Sequence, residues 1–365
     1  MKKFKRVLAL GLSIITAMSL VVGCGKEDDS ARDDETLLTI NGVEVPLKVG
    51  KFYAYNEQAS YEAYYLANGY SIDWSALYKE EVTTSDSKEE STTVEGETTT
   101  EAPTAGEQPI EDLVKRDVLE RIKMFYVISQ YAQANGATLS EDDVKEIAEF
   151  TKNYLEGNKK VVAATKADEA FLTSVYGIEA YYNKGCDMIF KDVDWGIKDE
   201  DIRQVSIVAV ELPESSVEFA DEISKAITGR LDGGEKLKDI INAYGLSSYL
   251  VEGSLGKGDF GEDKVEELAL SLKTGEYGYI VENKTHIIIC CIDENDKEAT
   301  EYVKESLLAE KKSAKLLEFY NEYTKDMEIT LNEELWATVN FNNAIFTEED
   351  VSDILKDYET TTAAK

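Results

Sequence analysis

Histidine is almost missing from this chain: His286 is the only one in 365 residues, and the four cysteines include no CxxC pair. Such a set argues against a zinc site built from Cys and His, and no metal or cofactor is expected. Basic residues are scarce, 39 Lys and Arg against 73 Asp and Glu, for a net charge of −34. A surface of that sign repels nucleic acid and anionic lipid headgroups, so nucleic-acid binding is excluded as a function. No apolar run is long enough to span a bilayer: the longest, residues 7–22, falls short of the roughly 20 residues required. The glycine-rich stretch 253–261 lacks the GKS or GKT ending of a phosphate cradle.

What the chain does have begins with a leader. Lys2, Lys3, Lys5 and Arg6 precede the apolar run, and "LVVGC" ends it at Cys24. The layout is that of a secretory signal, and its end resembles the bacterial lipobox, in which the Cys becomes the lipidated first residue of the mature protein. Residues 1–23 are then a lipoprotein signal peptide. Cys24 is the lipidation site and membrane attachment, and the protein is extracytoplasmic, tethered to the cell membrane of a bacterium. Loss of the four basic leader residues makes the mature chain more acidic still, so the acyl chain rather than surface charge must hold it there. Cys186, Cys290 and Cys291 remain, an odd number. Neighbours in a strand point to opposite faces, so Cys290 and Cys291 do not readily pair. A bridge from Cys186 to either is left open by the sequence, and buried free thiols are the simpler reading.

The pattern along the chain predicts an α+β protein in several segments. Residues 24–36 are a polar tether. From 37 to 79, "LTINGVEV" reads as a hairpin about Asn41-Gly42, followed by the aromatic-rich helix "FYAYNEQASYEAYYLA". That tyrosine stripe is either helix core or a peptide-binding platform. Residues 80–109, rich in Thr, Glu and Ser, bury too little to offset ordering entropy and are read as a disordered insertion. From 110 to 198 the period is helical. Val114, Val118, Ile122, Phe125, Ile128 and Ala132 share one face, Ser140 with Asp143 caps a second helix bearing Val144 and Ile147, and further helices break at Gly177. Residues 200–296 read as β-α-α-loop-α-β-β. Phe219, Ile223, Ile227 and Leu231 lie along the first helix, 253–261 form the loop, and a closing hairpin turns at 282–284. A long helix opens the segment 297–342, with more apolar positions than a solitary solvated helix tolerates. Residues 343–365 are a loose tail.

Several strings resemble one family. "VLERIKMFYVISQYAQANGATLSEDDVKE" is similar to the helix pair of the extracytoplasmic foldases related to SurA and PrsA, and "LTINGVEV" to their opening hairpin. "EGSLGKGDFG" resembles the parvulin loop "GGDLGxFxxGxM". "LALSLKTGEYGYIVENKTHIIICCID" resembles the stretch in which an LKxGE turn leads to a histidine-bearing strand. The resemblance implies a helical chaperone module with an inserted parvulin-like peptidyl-prolyl isomerase domain, and a C-terminal helix returning to the module. Its partners would be unfolded or partly folded secreted polypeptides.

Rotation of an X-Pro amide faces a barrier of about 20 kcal/mol, because resonance is lost. A parvulin site lowers it with an apolar grip on proline and a polar surround for the twisted amide. By resemblance His286 is the catalytic histidine, and Leu255, Phe260 and Val265 contact the substrate proline. The family's first histidine falls on Ile207. No Asp or Cys follows Tyr244, where Ser247 or Ser248 would have to substitute. The catalytic set is therefore incomplete. The expected function is a membrane-anchored foldase of the isomerase family with isomerase activity weak or lost. The alternative is a non-enzymatic binding or assembly lipoprotein that uses the parvulin shell as a scaffold.

Overall fold

A computed structural model describes residues 32–79, 107–259, 263–352 and 354–355. In chain order they form β1 (Thr36–Ile40), β2 (Val43–Pro46), α1 (Leu47–Ala67), β3 (Leu77–Lys79), β4 (Glu107–Pro109), α2 (Ile110–Ala134), α3 (Glu141–Gly157), α4 (Lys159–Thr165) and α5 (Glu169–Phe190). Then come α6 (Asp199–Ile202), β5 (Val205–Pro213), α7 (Ala220–Asp232), α8 (Leu237–Tyr244), β6 (Leu250–Leu255), α9 (Asp263–Ser271), β7 (Tyr277–Glu282) and β8 (Thr285–Asp293). α10 (Lys297–Tyr323), β9 (Ile329–Leu331) and α11 (Glu333–Trp336) follow. The chain divides into two units, the first made of residues 1–191 and 316–365 and the second of 192–315. The α+β class and the insertion of one unit within the other agree with the expectation. The boundary falls inside α10, so its first part groups with the second unit. The signal peptide, Cys24 and residues 80–106 of the expected insertion lie outside the described residues.

The first unit is assembled from both ends of the chain. Asn41 and Gly42, with φ of 50° and 80°, make the left-handed turn that the Asn-Gly pair predicts. β1 then pairs with β2 on one side and with β9 on the other, setting Leu38 against Leu331. On α2 the expected face is buried, with Val118, Ile122, Ile128 and Ala132 fully enclosed. Ser140 and Asp143 form a reciprocal capping box at the start of α3. Asp33, expected in the tether, accepts a hydrogen bond from the buried Lys51 at 2.9 Å. Glu107–Pro109, expected as the end of the insertion, instead pair with Leu77–Lys79.

Three further expectations are corrected in this unit. Val144 is exposed, because α3 buries only the narrow stripe of Ile147 and Thr151. The helix expected to break at Gly177 runs through it, since that turn is buried and packing outweighs the roughly 1 kcal/mol propensity cost of an interior glycine. The tail is not loose at its start, because Ile345 is buried against Ala59 of α1 and Val161 of α4. α2 and α5 pack closely where Gly185 faces Ile128. A Cβ at Gly185 would lie 2.5 Å from Ile128 Cγ2 and 2.7 Å from the Ile128 carbonyl oxygen. Gly185→Ala is therefore expected to lower stability by about 1–3 kcal/mol in urea denaturation. Gly157→Ala, at a site with nothing within 4 Å, should be neutral or mildly stabilising.

The second unit is a four-stranded antiparallel sheet of order β6-β5-β8-β7. α9 covers one face through Val265 and Ala269, with Leu272 just beyond its end, and these meet Ile207, Leu255, Ile287, Ile289 and Cys291. α7 and α8 cover the other through Ile227, Leu237, Ile240 and Ile241, which meet Val208, Val210, Leu212 and Ile288. Cys290 and Cys291 accordingly point to opposite faces, and none of Cys186, Cys290 and Cys291 is in a disulfide. The expected glycine-rich loop is corrected in its first half, where residues 250–255 form the edge strand β6. Its side chains from Val251 to Ser254 are exposed, so no alternation of apolar residues marks it. Phe219 does not join the buried stripe of α7. It precedes the helix in a left-handed conformation, φ 61°, and is exposed.

The long α10 buries only Leu316, and Leu317 is exposed. Its final turns meet α2 as expected, with the Tyr131 ring 4.8 Å from Phe319 and 5.4 Å from Tyr323, both edge-to-face.

Candidate functional site

β8 carries His286 into the layer between the sheet and α7. The hairpin turn explains its neighbours. Asn283 and Lys284 both adopt positive φ, which sets Glu282 opposite Thr285 and Val281 opposite His286. Tyr279 then lies diagonally across the pair on the same face. Its hydroxyl is 2.6 Å from His286 Nδ1, and the two rings stack at 5.9 Å and 21°. His286 is buried, 3% exposed. Its Nε2 is buried without a hydrogen-bond partner, 3.6 Å from Glu214 Oε1.

Electrostatics selects the tautomer. A proton on Nε2 faces the Glu214 carboxylate favourably and leaves Nδ1 to accept from the Tyr279 hydroxyl. The reverse would set a lone pair against a carboxylate. Burial, and secondarily Asp221 on α7, raises the Tyr279 pKa above its ordinary value, against Lys225 and Ser224. The phenol therefore stays protonated as a donor at neutral pH. The arrangement is a carboxylate–imidazole–phenol series, able to hold a proton in place but without a nucleophile in it.

The other residues expected to share this site are elsewhere. Leu255 and Val265 are buried on the α9 face, with Ile207, across the sheet from His286. They pack against Ala269 and Ile289 as core. Phe260 lies outside the described residues. Ser247 is exposed and hydrogen-bonded to Asn242 at 2.6 Å. In the loop after β6 the Gly256 N–H donates to Asp259 and the Gly258 N–H to Glu266, so those amides are committed to the chain's own carboxylates. Among the described residues no group of His, Cys, Asp and Glu side chains is placed to hold a metal.

The sequence reading missed Tyr279 and Glu214. Tyr279 was within reach, since a two-residue turn at Asn283-Lys284 dictates its diagonal to His286. Glu214 was not, because its approach depends on the non-local β5–β8 register.

The first unit has its own surface features. A cleft of about 230 Å³ is lined by Glu62, Leu66, Ile72, Trp74, Phe341 and Phe346. Beside it the Tyr61 ring stands 5.9 Å from Trp74, and Tyr61, Tyr64, Tyr70, Leu77 and Tyr78 are exposed. A second cleft, about 330 Å³, lies between α2 and α11 beside Lys115 and Trp336. The aromatic stripe of α1 is thus divided: Phe52 and Tyr53 are core, while Tyr61 and Tyr64 face solvent.

Together these features define a class of architecture, a helical unit closed by both chain ends with an antiparallel α+β unit inserted. No family model matches the sequence, and no curated protein matches it. Solved structures do match. Peptidylprolyl isomerase PrsA from Bacillus cereus is 14% identical over 71% of this chain and 97% of that one, with a TM-score of 0.30. The Bacillus anthracis PrsA is 18% identical over 62% and 100%, with a TM-score of 0.27. A SurA-like chaperone of Campylobacter jejuni is 6% identical over 81% and 98%, also at 0.27. These are the kinds of foldase that the sequence resembles. At TM-scores below 0.5 the likeness carries no weight for chemistry, which rests on this chain's own residues.

Proposed function

We propose that the protein is a membrane-anchored extracytoplasmic foldase of the prolyl-isomerase family that binds unfolded secreted polypeptides, with isomerase activity weak or lost. The aromatic surface of the first unit carries the binding half of this reading. Tyr61 is exposed against Trp74 of the cleft, Tyr64, Tyr70, Leu77 and Tyr78 on the flanking segments are exposed as well, and exposed aromatic surface serves interaction. Tyr and Trp suit a variable polypeptide, because each offers a large face and a polar tip at small entropic cost. The leader and Cys24 support the extracytoplasmic, lipid-anchored placement. Among the described residues no helix is long and apolar enough to cross a membrane.

Loss of isomerase activity is supported by the separation of His286 from Leu255 and Val265 across the sheet. An amide held against the imidazole would find no grip from those two residues. In a chymotrypsin-coupled assay with a proline tetrapeptide, the rate is expected to equal the uncatalysed one, and His286→Ala to leave it unchanged. A catalysed rate that His286→Ala removes would refute this half. Suppression of aggregation of a chemically denatured client is expected at stoichiometric protein. No suppression would favour the scaffold reading, in which the insert is a structural module of an assembly lipoprotein.

A further inference from the structure

The start of the C-terminal tail occupies a groove on the first unit in a manner that reads as recognition of polypeptide main chain. Glu62, 5% exposed on α1, accepts two consecutive backbone N–H groups at one oxygen, from Ile345 at 2.8 Å and Phe346 at 2.9 Å. One helical turn earlier Gln58 donates to the Asn343 carbonyl at 3.0 Å and to the other Glu62 oxygen at 2.7 Å. These contacts read main chain, not side chain, and the two N–H groups converge on one oxygen because the chain bends at Ile345 and Phe346, a turn that other sequences can adopt. Side-chain selection comes from two further features. Ile345 packs on Ala59 and Val161, and Lys160 of α4 lies over the Phe346 ring while pairing with Asp350.

The fit is imperfect in a telling way. Gln58 is 1% exposed, yet its Oε1 has no hydrogen-bond partner, so the seated tail leaves a buried acceptor unanswered. The groove also runs on into the cleft beneath Trp74, where Phe346 forms one wall and unfilled space of about 230 Å³ remains.

We infer that this groove between α1 and α4 is a binding site for a short polypeptide segment that bends as the tail does, and that the tail from Asn343 to Asp350 is a built-in competitor that occupies it until a client displaces it. The preferred client segment carries an aliphatic–aromatic pair with an acidic side chain four residues beyond the aromatic, the pattern of Ile345, Phe346 and Asp350. This deepens the proposed chaperone function and rests on it.

The test uses a fluorescein-labelled peptide of residues 341–355, with binding read by anisotropy. The full chain is compared with the full chain carrying Ile345→Ser and Phe346→Ser, and with Asp350→Lys, which breaks the Lys160 pair and the Thr347 cap of the tail and touches no core residue. Tail occupancy divides the dissociation constant by the open fraction and so weakens binding; the double variant should bind the peptide at least about tenfold tighter than the parent, with Asp350→Lys between them. Adding Lys160→Glu to the double variant should weaken binding again. Equal affinity across parent, double variant and Asp350→Lys would overturn the inference. Reduced, carboxymethylated lactalbumin is then added as client. Displacement of the peptide supports both the plug and the chaperone reading. A gain in peptide affinity with no displacement keeps the plug and removes the chaperone reading, whereas client binding that is equal in all variants removes the plug alone.

Discussion

Glu179→Gln is expected to stabilise the helical unit by about 3 kcal/mol above pH 7 and to flatten its stability between pH 4.5 and 7. Glu179 sits on α5, 8% exposed, and accepts a hydrogen bond from the Tyr53 hydroxyl on α1. Burial pushes its carboxyl from 4.5 up to about 7, against the Tyr53 hydrogen bond and the charge of Arg121 on α2. Arg121 compensates poorly because it is engaged by Glu57. The sign follows from proton counting. Between pH 4.5 and 7 the folded chain holds a proton that the unfolded chain has released, so stability falls as pH rises through that window and levels off above it. Glutamine keeps an acceptor for Tyr53 and carries no charge. Urea denaturation at pH 5 and pH 8, followed by far-UV circular dichroism, measures both arms. A parent whose stability is equal at the two pH values, or a Glu179→Gln variant that is less stable at pH 8, would show that the carboxylate is tolerated in the folded state.

Leu335→Ala should cost about 2–5 kcal/mol, although Leu335 lies far from the helices it supports in sequence. Its side chain is wholly buried in the core with Leu37, Leu47 and Val118, on the short α11 that Asn332 caps. Its neighbour Trp336 lies so close to α1 that a Cβ on Gly50 would come within 2.9 Å of the indole. Truncation leaves a cavity that the crossing of α11 with α1 and β1 cannot collapse around. Leu317→Ala, an equally large leucine on exposed α10, should change stability by less than about 0.5 kcal/mol. Similar losses at the two positions would mean that the C-terminal return does not complete the first core.

Periodic segments with a buried face were legible because burial writes itself into spacing. α2, the capped start of α3, α9 and both hairpins follow the residues that predict them. β6 was not legible, since an edge strand with exposed side chains needs no alternation. The unbroken α5 was not, because the closeness that suits its glycines comes from a partner helix. The seated tail was hidden for a related reason: its polar, acidic composition suits solvent, and only a buried Glu62 on a distant helix gives its amides somewhere to bind. In the candidate site, the Asn283-Lys284 turn made Tyr279 deducible, whereas Glu214 depended on the β5–β8 register.

By itself, the sequence determined the α+β class, the succession of elements, the acidic composition and the lone imidazole on a strand. Those are local or additive properties, set by composition and by periods of two and 3.6. Tertiary structure alone decided that His286 and Leu255 lie on opposite faces of one sheet, that β9 closes the sheet begun by β1, and that the tail is held by α1. Each depends on which distant segments meet and in what register, a long-range choice made by the total burial of both partners and recorded in neither one.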